Sequence, residues 1–339
     1  MERRTAWIDR PLVDIAVAAS WVPLAVAARL VEANPRLLTS LLAATLLLSL
    51  AHQPLTLALV YGDPAQFGLR RKLFTWSPLV FLVAVLAGRH MSLLLVAVVA
   101  GLWNAEHTLM QRYGLTRIYG RKVGQEDGGV ERAMLLSWLA VALLWTAADP
   151  RTPGRATGLG LGATNEAAVR ALASLRPWAL LALVPLSVGA LGIVAHWWRI
   201  ERQRLVVNRA KHVYLACTAG LFATMLWDPL VGLVAYVGAH AVEYLVTVHR
   251  HLGRRYGDST DGGALGRAVR SRAGRSGVIG AYLVVTAAAL TALRRYGSVE
   301  VYTTVYLTVG GLHVFYDGVI WKLRRPWVAK GFALSASSA

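Results

Sequence analysis

Pairs of a histidine and an acidic residue, one helical turn apart, recur in apolar stretches of the sequence. His240 and Glu243 are three residues apart, and His313 and Asp317 are four apart. Residues at these spacings lie on one face of a helix. Imidazole together with carboxylate suits iron, zinc or manganese, and open coordination positions suit dioxygen chemistry. The pairs therefore predict a metal site that is formed by side chains of neighbouring helices.

Two further apolar stretches add histidines to this prediction. LAHQPLT places His52 four residues before Thr56, and WNAEHTLMQ carries His107. The predicted metal ligands are His52, His107, His240, Glu243, His313 and Asp317. Candidate catalytic residues beside them are Glu106, Tyr244 and Tyr316. Candidates for hydrogen bonds that orient the ligands are Asn104, Gln111 and Thr56.

The elements that must position these side chains are membrane-spanning helices. Of the 339 residues, 56% are hydrophobic and 16% are charged, against about 25% charged in a typical soluble domain. The apolar residues come in blocks of roughly twenty, the length that crosses a bilayer as a helix. We predict an all-α, polytopic transmembrane bundle, with residues 1-330 as one transmembrane domain and 331-339 as a short disordered tail. The ten predicted spans, arranged as five hairpins, are 12–31, 37–60, 73–89, 91–111, 133–149, 177–198, 211–228, 230–250, 277–294 and 301–321.

The distribution of Lys and Arg predicts the orientation of these spans. With the N-terminus in the cytoplasm, 27 of the 36 basic residues fall in the segments on that side, as expected of cytoplasmic borders. We therefore expect both termini in the cytoplasm and a multi-pass location in the bacterial cytoplasmic membrane. The net charge of +18 then reflects membrane borders and excludes a nucleic-acid partner. The basic inner rim would attract anionic lipids.

The histidines recur on spans that run in the same direction. Each even-numbered span carries one, namely His52, His107, His196, His240 and His313. His240 is ten residues from Arg250, and His313 is nine from Lys322, so both lie roughly 13–15 Å above their basic borders at 1.5 Å per residue. His196 stands at the inner end of its span and is interpreted as a border residue. The recurrence of the other four at similar depth favours one interior site over separate hydrogen bonds between helices.

The histidines near the basic border have a different interpretation. His249 and His251 flank Arg250, and we expect both to be interface residues close to solvent. Cys217 is the single cysteine, so a sulfur-ligated cluster is excluded. The wider arrangement is similar in class to membrane-bound non-haem iron hydroxylases and desaturases. The sequence has none of their HxxxH or HxxHH boxes, and no residue is carried over from them.

The predicted function is an integral-membrane oxidoreductase that uses non-haem iron, as one ion or a pair. Its substrate would be a lipid, a fatty acyl chain or an isoprenoid from the bilayer, and the reaction a hydroxylation, a desaturation or an oxidative cleavage. A cytoplasmic electron donor would supply electrons. Zinc, manganese, and haem held by two histidines are alternative cofactors.

Two other functions use the same residues. A proton- or cation-coupled transporter would relay protons through the intramembrane histidines and carboxylates. A structural or lipid-binding scaffold would use them only as hydrogen bonds between helices. A bound metal distinguishes the enzyme from both.

Overall fold

The structure is a computed structural model that describes residues 6–152, 154, 166–257, 263–332 and 334. These residues form α-helices and no strand, which confirms the all-α prediction. The helices are α1 (Pro11–Ala18), α2 (Trp21–Val31), α3 (Pro35–Tyr61), α4 (Pro64–Gly68), α5 (Arg71–Met91), α6 (Leu93–Lys122), α7 (Gly129–Ala148), α8 (Glu166–Arg202), α9 (Arg209–Trp227), α10 (Pro229–Tyr256), α11 (Gly263–Val269), α12 (Gly274–Tyr296), α13 (Val299–Ile320) and α14 (Pro326–Gly331). The predicted tail lies outside the described residues apart from 331, 332 and 334.

Short polar side chains fix where several of these helices begin. Asn34 accepts hydrogen bonds from the backbone N–H groups of residues 36 and 37, and Asp228 accepts them from those of 230 and 231. Each is followed by a proline in the first turn, where the missing N–H costs no hydrogen bond. Ser298 caps α13 with its hydroxyl oxygen, which accepts a hydrogen bond from the backbone N–H of residue 301. α9 ends at Trp227 and α10 begins at Pro229, so Asp228 alone joins the two helices.

Seven helical segments in the described part of the chain are long and apolar enough to cross a membrane. They are Pro11–Val31, Pro35–Tyr61, Arg71–Met91, Gly129–Ala148, Ala173–Arg202, Pro229–Tyr256 and Gly274–Tyr296. The protein is therefore a multi-pass membrane protein. The other three predicted spans coincide with α6, α9 and α13. The count of ten, the pairing into hairpins and the orientation of the termini stay predictions.

Burial separates the lipid-facing helices from the interior ones. Leu181, Val184 and Val188 are largely exposed along one side of α8, as expected of a surface that faces hydrocarbon. In α3 and α10, by contrast, 50% and 67% of the most apolar window is buried, against at most 28% in the other candidate spans. Polar side chains on α3 and α10 therefore face protein instead of lipid.

The chain divides into two compact units, each with its own core. Unit 1 comprises Met1–Leu42 and Ala105–Ala239, and unit 2 comprises Ala43–Asn104 and His240–Ala339. The core of unit 1 includes Leu135, Leu139, Leu221, Phe222 and Val234. The core of unit 2 includes Phe74, Val248, Leu252, Leu312 and Tyr316. The prediction of one transmembrane domain over residues 1-330 stays a prediction.

A buried ion network joins three helices of unit 1. Lys211 Nζ donates to Glu131 Oε1 at 3.0 Å and to Glu201 Oε1 at 2.6 Å. Arg204 Nε also donates to Glu201 Oε1, at 2.7 Å, and His212 Nε2 lies 2.8 Å from its Oε2. The Lys211 side chain is fully buried, although its position in the sequence predicts a basic residue at a membrane border. Removing it would leave two carboxylates buried beside each other.

Asp63 makes the corresponding polar junction in unit 2. Its Oδ1 caps α4 by accepting from the backbone N–H groups of residues 65 and 66. Its Oδ2 accepts from Arg255 and from the Tyr256 hydroxyl, near the end of α10. Burial alone would raise the pKa of Asp63, but the hydrogen bonds from Tyr256 and Arg255 and the charge of Arg255 outweigh it and lower the pKa.

We expect this junction to make the folding stability of the protein decrease at acidic pH. A carboxyl whose pKa is lowered by folding stabilises the protein above its unfolded pKa of about 3.9, and this stabilisation is lost as pH falls through the folded pKa. Asp63→Asn should lower the unfolding temperature in detergent at neutral pH. It should also reduce the additional decrease in unfolding temperature that the wild type shows below about pH 4. Asp9→Asn, at an exposed position, is the control, and identical acid profiles for the wild type and Asp63→Asn would contradict the assignment.

Candidate metal centre

Three buried histidines of unit 2 come together from three helices. His52 lies on α3, His240 on α10 and His313 on α13, and each side chain is at most 2% exposed. One ring nitrogen from each lies within 4.8 Å of the others. The ring centroid of His52 lies 4.8 Å from that of His240 and 4.9 Å from that of His313, and the ring planes are nearly perpendicular in both pairs. Such a group could hold a metal ion.

The spacing of the three nitrogens is close to that of a metal site. An imidazole nitrogen lies about 2.0–2.1 Å from a bound zinc ion, so nitrogens that share one ion are roughly 3–3.5 Å apart. The rings would need to approach each other by roughly 1 Å to bind one ion at these distances.

The hydroxyl of Thr56 connects this group to a carboxylate. Thr56 Oγ1 lies 2.7 Å from His313 Nδ1 and donates to Asp317 Oδ1 at 2.9 Å. It also makes a hydrogen bond with the hydroxyl of Tyr244. Tyr244 in turn donates to Asp317 Oδ1 at 3.2 Å. One threonine thus contacts a candidate ligand, a carboxylate and a tyrosine.

This network is compatible with one tautomer of His313 that suits metal binding. If Thr56 donates its single proton to Asp317, Thr56 accepts a hydrogen bond from His313 Nδ1–H, and the lone pair of Nε2 is left for a metal. The second ring nitrogen of a metal-binding histidine commonly makes such an orienting hydrogen bond. The predicted role of Thr56 as a residue that orients a ligand agrees with this geometry.

Trp321 belongs to the same network, although the sequence analysis did not select it. Its indole Nε1 donates to Asp317 Oδ1 at 3.2 Å. Asp317 Oδ1 therefore accepts from Thr56, Tyr244 and Trp321, while Oδ2 lies 3.9 Å from His313 Nε2. The signal was present in the sequence, because residues 317 and 321 are one helical turn apart. Its neighbours LysLeuArgArg made Trp321 resemble an ordinary border residue.

Tyr316 belongs to a different hydrogen-bond group of unit 2. Its hydroxyl lies 2.7 Å from that of Tyr61 and 2.8 Å from Ser77 Oγ. Tyr61 also donates to the carbonyl of Phe74 at 2.7 Å. These contacts join α3, α5 and α13. The catalytic role of Tyr316 stays a prediction.

The other predicted site residues differ in burial and in unit. Glu243 is fully buried one turn after His240, and Asn104, the last residue of its segment in unit 2, is partly exposed. His107, Glu106 and Gln111 belong to unit 1, where His107 is buried and the other two are partly exposed. Their places in a metal site stay predictions.

The interpretation of His251 as a residue close to solvent was wrong. Its side chain is only 3% exposed, and its ring centroid lies 5.1 Å from that of Trp321, edge to face. His249, by contrast, is partly exposed and lies 3.0 Å from Ser276 Oγ. Position 251 turns inward because it lies seven residues, about two helical turns, after the buried Tyr244.

The chain was also compared with known proteins. No family model, no curated protein and no solved structure matches it. The chemistry of the site must therefore be argued from its own residues.

The contact between Thr56 and His313 gives a specific expectation for metal affinity. Thr56→Val keeps the shape of the side chain but removes the hydroxyl that orients His313. We expect metal binding to weaken by about 10–100-fold, the usual effect of removing a partner of a metal-binding histidine. Thr56→Ser keeps the hydroxyl and should retain most of the affinity. Competition with a chelator of known affinity measures both, and equal affinities for Thr56→Val and the wild type would contradict the role.

Proposed function

We propose that the protein is an integral-membrane, iron-dependent oxidoreductase that acts on a lipid, fatty acyl or isoprenoid substrate. The observation that carries the proposal is the group of His52, His240 and His313. These are three buried histidines on three helices, with ring nitrogens within 4.8 Å of one another. A mononuclear site fits this group, and Glu243 and Asp317, which belong to the same unit, remain candidates for further ligands.

The location of the group supports a functional role. Ionisable side chains inside a membrane protein cost a few kcal/mol each and usually mark a functional site. Here three imidazoles and the carboxylate of Asp317 are buried in one unit. A metal ion would bind the three nitrogen lone pairs at one point and offset part of that cost.

The chemistry of the donor set supports iron. Imidazole suits zinc, copper, iron and nickel, and a site with three histidines leaves coordination positions for dioxygen and substrate. Iron bound there would supply the activation of dioxygen. The core of unit 2 surrounds the network with apolar and aromatic side chains, and such walls exclude water from reactive species. Dioxygen and lipid substrates both enter readily from hydrocarbon.

Residues around the three histidines have roles that follow from their contacts. Thr56 Oγ1 contacts Nδ1 of His313 and so leaves Nε2 as the nitrogen for a metal. Asp317 accepts three hydrogen bonds at one oxygen, which holds Thr56, Tyr244 and Trp321 in fixed orientations. Tyr244 places a phenol group beside the histidines, with its ring centroid 5.3 Å from that of His313.

Metal analysis of the purified protein tests the proposal. Protein from iron-supplemented cells should contain about one iron per chain, the stoichiometry of a mononuclear site. It should also consume dioxygen when a lipid extract and a reductant are added. Well-folded protein with no metal would overturn the metal site and favour a transporter or scaffold. Stoichiometric zinc with no iron would keep the site but overturn the oxidoreductase, because zinc has no redox chemistry.

A further inference from the structure

We propose that unit 2 binds the hydroxyl head group of a long-chain alcohol, fatty or isoprenoid, in a small cavity where three of its helices end. The observation that carries the proposal is the side-chain amide of Gln66, which is buried against this cavity without a hydrogen-bond partner. The inference goes beyond the proposed function, because the cavity requires no metal ion. It names the kind of lipid head group that the protein would hold.

The cavity lies at the depth of lipid head groups. It is formed where α3 ends at Tyr61, α10 at Tyr256 and α13 at Ile320. The candidate spans of α3 and α10 contain 27 and 28 residues, and a helix of that length measures about 40 Å. This is the thickness of a bilayer with its polar borders. The ends of these helices therefore lie beside head groups, with hydrocarbon on one side.

Gln66 supplies unused hydrogen-bonding groups to the cavity. Its side chain is only 3% exposed, and neither its amide oxygen nor its amide nitrogen has a partner within the described part of the chain. Its position is fixed, because its backbone N–H donates to Asp63 Oδ1 at 3.3 Å. Buried polar side chains nearly always have partners, and an amide offers both an acceptor and a donor. The matching ligand therefore both donates and accepts a hydrogen bond.

The size of the cavity limits the ligand to one small polar group. The space open to the centre of a water-sized atom is about 10 Å³, close to the requirement of one water molecule. A hydroxyl group has the size of a water molecule and fits this space. Carboxylate and phosphate groups are larger, and they would have to displace the side chains that line the cavity.

The charges beside the cavity also favour a neutral head group. Asp63 and Arg255 form an ion pair there, and the Tyr256 hydroxyl donates to the same carboxylate at 2.5 Å. Because Asp63 offsets the charge of Arg255, the pair adds no net charge. An anionic head group would be repelled by Asp63 and a cationic one by Arg255. A hydroxyl group meets neither repulsion.

The apolar side of the cavity suits an attached hydrocarbon chain. Leu59 and Ile320 are buried there, and Trp321 is partly exposed. The cavity is partly open, so a hydroxyl group inside it can remain bonded to a chain that continues into the bilayer. A water molecule is the other source of a hydroxyl group of this size. It would gain nothing from the apolar side, which favours the alcohol.

Binding of tritiated dodecanol to full-length, metal-free protein in nanodiscs tests the site. The binding that excess unlabelled dodecanol displaces should saturate at about one molecule per chain, since the cavity has room for one hydroxyl group. Dodecanoic acid and dodecyl phosphate should compete less well than unlabelled dodecanol. Absence of saturable binding would overturn the proposal and leave water as the occupant. Equal or stronger competition by the acid or the phosphate would overturn the choice of a neutral head group.

A pair of glutamine substitutions shows whether the binding occurs at this cavity. Gln66→Met keeps the length of the side chain but removes both amide groups, so it should weaken dodecanol binding by about tenfold. Gln53→Met alters another buried glutamine of unit 2, which packs against Gly310 outside the cavity, and should leave binding unchanged. Equal binding by Gln66→Met and the wild type would contradict the site. The competition series needs only the wild type, so the proposal can be tested even if a variant does not fold.

The use of metal-free protein keeps this test separate from that of the proposed function. Protein that binds dodecanol saturably but takes up no iron would overturn the iron-dependent oxidoreductase alone. Protein that binds iron but shows no saturable binding of dodecanol would overturn the head-group site alone.

Discussion

Replacing His313 by alanine is expected to remove the bound metal, and His52→Ala and His240→Ala are expected to do the same. Each substitution removes one of three nitrogens that lie within 4.8 Å of one another. Loss of a residue that only orients a ligand already weakens binding by about 10–100-fold, so loss of a ligand should weaken it by more than about 100-fold. Metal content after purification, measured by mass spectrometry, gives the result directly.

His90→Ala is the matched control for these variants. His90 belongs to unit 2 but is exposed, so its removal should leave the metal content unchanged. Equal metal loss in all four variants would indicate that binding occurs at surface histidines. Retention of the metal by the His52, His240 and His313 variants would rule out the three-histidine site. Detergent-stable, monodisperse protein in each case shows that the fold is intact.

Replacing Lys211 by methionine is expected to destabilise the protein by about 3–5 kcal/mol, because it leaves buried charges without their cation. Lys211 Nζ bonds Glu131 and Glu201, and all three side chains are at most 4% exposed. Methionine fills most of the space of the lysine stem, so the expected loss reflects charge more than volume. Unfolding in a denaturing detergent, followed by circular dichroism, measures the change.

A second substitution shows whether charge is the cause. Adding Glu131→Gln to Lys211→Met removes one of the two carboxylates that lose the lysine, and should recover part of the lost stability. Arg209→Met, at an exposed position two residues away, should change stability little. A double variant that is less stable than Lys211→Met would show that the network acts through packing instead of charge.

The sequence predicted the helices and the residue types of the site because both follow from local patterns. Apolar blocks of spanning length gave helices at every predicted span, and spacings of three and four placed polar residues on one face. His52, His240 and His313 were selected because each stands in an apolar helix, and the structure brings their rings together.

The arrangement of side chains around these histidines could not be predicted, because spacing fixes the face of one helix but not which faces meet. Thr56 contacts Tyr244, His313 and Asp317 across separations of 188 to 261 residues. The burial of Lys211 could not be predicted either, because a basic residue at the end of a helix has the same sequence pattern whether it is buried or exposed. Its partners, Glu131 and Glu201, lie on two other helices, 80 and 10 residues away in sequence.

The long separations within the candidate centre have a consequence for biosynthesis. Thr56 and His313 are 257 residues apart, and chains are elongated at roughly 5–20 residues per second. His52 and Thr56 therefore enter the membrane on the order of 10 to 50 seconds before His313 is made. During that interval the ribosome-bound chain has no complete set of three histidines. A metal could bind all three histidines only after the insertion of α13, so a chain truncated before this helix is released without a three-histidine site.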